Sequence, residues 1–196
     1  MRPNAAVRPE YIAAFSELAA RIASSLEDLP KRTLPISMYV AGGAALYFYT
    51  GERTSRDVDA VFSHRIALPE NLEVAYRDAD GAARLLYFDR QYNDTFALLH
   101  EDAREDSVPL LLKEVDSKIL NLRLLSPLDL AVSKISRLSS QDVADIKSLA
   151  RHGLVRAAPL RRRADSALEG YVGNVERLRT SIDLACRIVE DAERQP

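Results

Sequence analysis

The segment 39–62, Tyr-Val-Ala-Gly-Gly-Ala-Ala-Leu-Tyr-Phe-Tyr-Thr-Gly-Glu-Arg-Thr-Ser-Arg-Asp-Val-Asp-Ala-Val-Phe, restricts the fold more than any other part of the chain. Residues 36–41 read as a strand that runs into Gly42-Gly43. The apolar stretch 44–50 then predicts a short helix ended by Gly51. Residues 57–62 predict a second strand. Glycines lack Cβ, so backbone N–H groups at Gly42 and Gly43 can come close to an oxyanion, and a helix N-terminus adds partial positive charge that favours phosphate. On a strand, residues i and i+2 face the same side with Cα atoms about 6–7 Å apart. Asp57 and Asp59 are thereby able to converge on one cation while Val58 and Ala60 point into a core. Two like charges this close raise each other's pKa, and a divalent cation removes the conflict. Mg²⁺ (or Mn²⁺) suits such a pair, because Mg²⁺ takes one or two carboxylates together with phosphate oxygens.

The rest of the chain falls into two parts. Residues 9–29 carry Ile12, Phe15, Leu18, Ile22 and Leu26 at helical spacing, which predicts an amphipathic helix followed by a loop between Pro30 and Pro35. Strands are expected at 72–77 and 83–88, with Asp80-Gly81 as a hairpin turn, and again at 107–112 and 119–124; the intervening 89–106 is polar and turn-like. After Leu125 the pattern is helical only. Ser126-Pro127, with Asp129 three residues on, opens one helix. A second starts at Ser139 or Ser140 and ends near Gly153, a third covers about 160–169, and a fourth runs from Asn174 to about 192. The fold class is therefore α+β, with residues 1–125 forming an α/β core and 126–196 a helical region packed on it.

Composition narrows the function. Of 196 residues, 47% are hydrophobic and 29% charged, a balance that supports a packed core without disulfides. The net charge of −2 argues against a protein that coats DNA. One cysteine, Cys186, permits no internal disulfide, and with three histidines makes a zinc site improbable. Residues 1–8 lack a continuous apolar stretch and no run approaches the ~20 residues of a membrane span, so the expected setting is cytoplasmic, with no membrane partner.

Strand, Gly-Gly, short helix, then Asp-x-Asp on the next strand resembles the motif of the nucleotidyltransferase superfamily, the polymerase-β-like fold. The spacer from Ala44 to Arg56 is 13 residues, at the long end for that motif. Ala-Leu after the glycines and Arg-x-Ser-x-Asp before the acids resemble the branch that includes AbiEii-type toxins and related bacterial nucleotidyltransferase-like domains. Leu125 to Lys134 and Asp142-x-x-Asp145 resemble that branch's helical part, so the likeness spans about 36–152. It implies a nucleotidyltransferase core of small mixed sheet and flanking helices. By position it implies phosphate binding at Gly42 and Gly43, metal binding at Asp57 and Asp59, and a phosphate or acceptor contact at Lys134. A third acid on a neighbouring strand acts as general base in the superfamily. Asp106 is the first candidate here, with Glu73, Asp89 and Asp102 as competitors.

The leading expectation is thus a Mg²⁺-dependent enzyme that moves an NMP from an NTP to an unidentified acceptor (RNA, protein or small molecule). Through the likeness, a toxin–antitoxin or phage-defence setting with a cognate antitoxin as protein partner is expected. The alternatives are a catalytically inactive module of the same fold that binds nucleotide, RNA or a protein partner, and a purely structural oligomerisation domain. Arg53 and Arg56 either bind triphosphate or pair with Asp57 and Asp59. Lys134, Asp142 and Asp145 are either functional or local to their helices. His100 beside Glu101 and Asp102, and Arg161-Arg162-Arg163, read as surface groups. Tyr47 and Tyr49 read as core.

Overall fold

The structure is a computed structural model that describes residues 1–94 and 97–194. It divides into two compact units, one formed by Met1–Asn93 and Ser107–Leu124, the other by Asp94–Asp106 and Leu125–Pro196. The segment 94–106 thus goes with the helices that follow residue 125.

The first unit holds α1 (Pro9–Ser24), β1 (Ile36–Val40), α2 (Gly42–Thr50), β2 (Asp57–Val58), β3 (Ala60–Phe62), β4 (Glu73–Arg77), β5 (Ala83–Phe88), β6 (Val108–Pro109) and β7 (Leu120–Leu124). These strands make two small sheets, ordered β3-β1-β7-β6 and β2-β5-β4. In the first, β1 is parallel to β7, with Met38 opposite Leu122, and antiparallel to β3, with Val40 opposite Ala60. In the second, β2 is parallel to β5 and β4–β5 is an antiparallel hairpin. The hairpin turns at Gly81, whose φ of +80° is the left-handed conformation that a residue without Cβ adopts at no steric cost.

Pro9 suits the first turn of α1, and Phe15, Leu18 and Ile22 are buried together with Tyr11 against β4 and β5. The helix stops at Ser24 rather than reaching 29. The Ser25 hydroxyl donates to Ile22 O at 2.7 Å, a local bond that competes with helix continuation, and Pro30 disfavours helix at the residue before it. Leu26 still reaches the core from the turn that follows. The strand expected at 107–112 is short: it pairs with β7 over Val108–Pro109, with one further bond from the Leu110 N–H to Leu122 O at 2.8 Å, and Pro109 sits where its missing N–H faces away from β7. The strand expected at 57–62 is broken at Asp59 and its halves enter different sheets.

The second unit holds α3 (Pro127–Ile135), α4 (Ser140–Arg151), α5 (Ala157–Glu169) and α6 (Val175–Glu193). Ser126, Ser139 and Asn174 cap α3, α4 and α6 with their side chains. Pro159 lies in the first turn of α5, where its missing N–H is no loss, so that helix begins at Ala157 rather than near 160. Leu178, Ile182, Ala185 and Ile188 form the buried stripe of α6. Among the described residues no helix is long and apolar enough to cross a membrane.

Candidate functional site

The glycine pair and the acid pair meet at the start of α2. Gly42 opens the helix with φ +56°, and a Cβ there would lie 1.8 Å from Asp59 Oδ2. The Asp59 carboxylate therefore fills the space that any other residue at 42 would need. A Cβ on Gly43 would lie 2.5 Å from Ser55 Oγ and 3.5 Å from Arg53 Nη2. The Ser55 hydroxyl in turn donates to Asp57 Oδ1 at 2.5 Å. So Asp59 reaches the helix start directly and Asp57 reaches it through Ser55. Ala41 is the N-cap residue and its own side chain makes no capping bond, so the Asp59 carboxylate is the acid seated at the positive end of α2. The sequence reading assigned Ser55 no role, although it is the Ser of the Arg-x-Ser-x-Asp run.

Splitting the strand at Asp59 sets what lies on either flank of the acids. Successive carbonyls of an extended chain point to opposite edges. Asp59 O accepts from the Ala41 N–H at 2.8 Å, and Val58 O accepts from the Asp89 N–H at 3.1 Å. The glycine turn and Asp89 therefore stand on opposite flanks of the acid pair. Asp57 is opposite Tyr87 and Val58 opposite Phe88, which brings Asp89 level with Asp59. Glu73 is opposite Tyr87 on the next strand out, so about 10 Å of sheet separates its backbone from that of Asp57. Val58 and Ala60 are buried, as the alternation predicts.

The remaining acids belong to the second unit. Asp106 is ion-paired with Arg163 at 2.7 Å, and Arg163 also grips the buried Asp129 at 2.7 Å. Asp102 closes a short turn with His100, whose Nε2 lies 3.0 Å from Ser166 Oγ. Since His100 Nδ1 accepts from the Asp102 N–H, its proton sits on Nε2, the tautomer unable to activate Ser166 as a nucleophile. Lys134 is buried, with its ammonium 2.7 Å from Asp145 and 3.9 Å from Asp142. Burial pushes the Asp142 carboxyl up, but hydrogen bonds from Arg137 and Ser139 outweigh it and hold the group down at about 2. Arg161 pairs with Asp183 at 2.8 Å. Tyr47 is core, as read, and so is Tyr49; burial raises the Tyr49 phenol above its ordinary range.

The pair Asp57 and Asp59 offers hard oxygen donors beside the start of α2, and the cradle at Gly42 keeps Asp59 there. That donor set fits a cation completing its shell with phosphate oxygens. Among the described residues no three His, Cys, Asp or Glu side chains group closely enough to hold a metal without such help.

A family described as "Nucleotidyltransferase of unknown function (DUF6036)" matches residues 17–181, most of the chain. The chain belongs to this family. The match reaches beyond the 36–152 legible in the sequence, taking in the second half of α1, all of α5 and the first part of α6. No curated protein and no solved structure matches the chain. In this member of the family, the strand–Gly-Gly–helix–Asp-x-Asp unit is the place where the glycines, the acids, Ser55 and Arg53 come together.

Proposed function

We propose that the chain is a metal-dependent nucleotidyltransferase that transfers an NMP from an NTP to an acceptor hydroxyl in the cytoplasm. The observation that carries this reading is the seating of Asp59 against Gly42, which makes the acid pair and the phosphate cradle one site. The β- and γ-phosphates lie on the Gly42-Gly43 turn, and Arg53 and Arg56 offset their charge. Asp57, oriented by Ser55, and Asp59 hold Mg²⁺ or Mn²⁺. When bound, such an ion neutralises charge that develops on the phosphate oxygens. The acceptor oxygen attacks the α-phosphorus, the bond to the β-phosphate oxygen breaks, and pyrophosphate leaves.

Asp89 takes the acceptor's proton in this scheme, in place of Asp106. Its position level with Asp59, on the flank away from the glycines, supports the assignment. Asp106 is engaged by Arg163, and Lys134 by two buried carboxylates, which supports anchoring roles for both within the helical unit. Asp89→Asn is expected to keep Mg²⁺-dependent NTP binding and to lower pyrophosphate release by on the order of 10²–10⁴-fold. Asp106→Asn is expected to leave that rate nearly unchanged, and the opposite pattern would refute the assignment.

A second reading is an inactive binding module of the same fold, favoured by the lack of a three-ligand group among the described residues. Mg²⁺-dependent NTP binding without pyrophosphate release would decide for it. The narrower toxin–antitoxin setting rests on the likeness of Leu125–Lys134 and Asp142–Asp145 to AbiEii-type chains. Growth arrest on expression, relieved by Asp57→Asn with Asp59→Asn, would support it.

A further inference from the structure

We infer that the open face of β5 is the nucleoside subsite, where the base of the NTP stacks on Tyr87 and extends over Leu85; this inference rests on the nucleotidyltransferase reading above. In that reading the β- and γ-phosphates lie on the glycine turn and the acids hold the metal beside the α-phosphate. The ribose and base then lie over a surface next to Asp57 and Asp59. A sheet carries its paired residues on one face, about 4.8 Å apart between strands. Tyr87 is paired with Asp57, so it stands next to that acid and on the same face.

The two faces of this sheet differ. Val58, Val74, Leu86 and Phe88 are buried on the face away from Asp57, and α1 packs against β4 and β5. On the acid-bearing face Tyr87 is 36% exposed and Leu85 41%. Among the described residues these two are the exposed large hydrophobic side chains that lie on strands. Leu85 comes two residues before Tyr87, about 6–7 Å back along β5. Opposite Leu85 on β4 stands Ala75, too short to cover it. The result is an apolar strip that starts beside Asp57 and is open to a planar ring.

Charge and direction select the occupant. Asp57 and Glu73 flank Tyr87 in its row, and their carboxylates repel a phosphate. The strip therefore takes the uncharged end of the nucleotide. A base stacks on an aromatic ring through its π-face, which every base has, so this contact is tolerant of base identity. From Tyr87, Leu85 lies toward the start of β5 and Asp89 just past its end. The base thus runs back along the strand, and the acceptor hydroxyl meets Asp89 in the other direction.

The test is calorimetry on the full chain with Mg²⁺, using ATP, GTP, CTP, UTP and inorganic tripolyphosphate, which has the phosphates but no base. Tyr87→Ala is expected to raise the Kd of each NTP that the wild type binds by on the order of tenfold. The Kd of tripolyphosphate should not change. Tyr87→Phe keeps the ring and is expected to bind like the wild type, whereas Leu85→Ser should give a smaller loss for NTPs alone. Because Tyr87 and Leu85 are exposed, these variants keep the fold, which circular dichroism checks. An unchanged NTP Kd in Tyr87→Ala, or an equal loss for NTP and tripolyphosphate, would overturn the inference alone. Wild type that binds neither NTP nor tripolyphosphate would overturn the underlying reading as well.

Discussion

Gly42 shows how much one missing methyl group decides. Any Cβ at this position meets Asp59 Oδ2 at 1.8 Å, and the φ of +56° is unfavourable for other residues. Gly42→Ala is expected to destabilise the fold by about 1–3 kcal/mol and to abolish metal-dependent NTP binding. The loss of stability should be smaller when Asp59→Ala is already present, since the side chain it strikes is gone. Additive losses, measured by chemical denaturation in a double-mutant cycle, would show that the two residues do not compete for the same space. Tyr11 makes the opposite case. Its ring is fully buried against Tyr47 and Phe48, yet among the described residues its hydroxyl has no hydrogen-bond partner, and burial pushes the phenol well above its ordinary range. Removing an unsatisfied buried hydroxyl relieves a desolvation penalty, so Tyr11→Phe is expected to leave the denaturation midpoint unchanged or raise it, by about 1 kcal/mol at most. A clear loss of stability would mean that the hydroxyl is engaged.

At the scale of elements, what the sequence disclosed depended on whether the cause was local. The cap at Ser126-Pro127, the α4 start at Ser139, the Gly81 turn and the apolar stripe of α6 are all set by a few neighbouring residues, and each was readable. The break at Asp59 was not. Asp-Val-Asp-Ala-Val-Phe alternates like one strand, and only the competition between β5 and β1 for its two halves divides it. The proposed general base depends on a cause of the same kind. Asp106 precedes an apolar run and looks like a strand-borne acid, whereas the claim of Asp89 depends on the register of β2 on β5, which no local pattern encodes. Ser139 and Asp142 form a reciprocal capping box on α4, reinforced by Arg137. Because the folded Asp142 pKa is depressed to about 2, its contribution is present above its unfolded value, near 3.9, and is lost as pH falls towards 2. Asp142→Asn is therefore expected to be less stable than wild type at neutral pH, with the gap closing between about pH 4 and 2 in thermal unfolding. A gap independent of pH would exclude the ionised carboxylate as its source.

Across the whole molecule, the α+β class and the helical C-terminal part followed from the change of pattern after Leu125, and family membership agrees with the glycine and acid motif. Less legible was the place of 94–106, a polar segment between two strands that joins the helical unit through His100–Ser166 and Asp106–Arg163. Polar composition marks such a segment as a connection but does not say which core receives it. Lys134 was similarly ambiguous, because a lysine on an amphipathic helix is normally solvated and only the fold reveals Asp142 and Asp145 around it. The proposed function stands or falls on whether Asp57 and Asp59 create a metal-dependent nucleotide site on the Gly42-Gly43 turn. Isothermal calorimetry of each NTP, with and without Mg²⁺, on the wild type and on Asp57→Asn with Asp59→Asn tests it most directly. Binding is expected to require Mg²⁺ and to disappear in the double variant while its circular dichroism stays native. Binding that ignores both the metal and the substitutions, or no binding of any NTP, would contradict it.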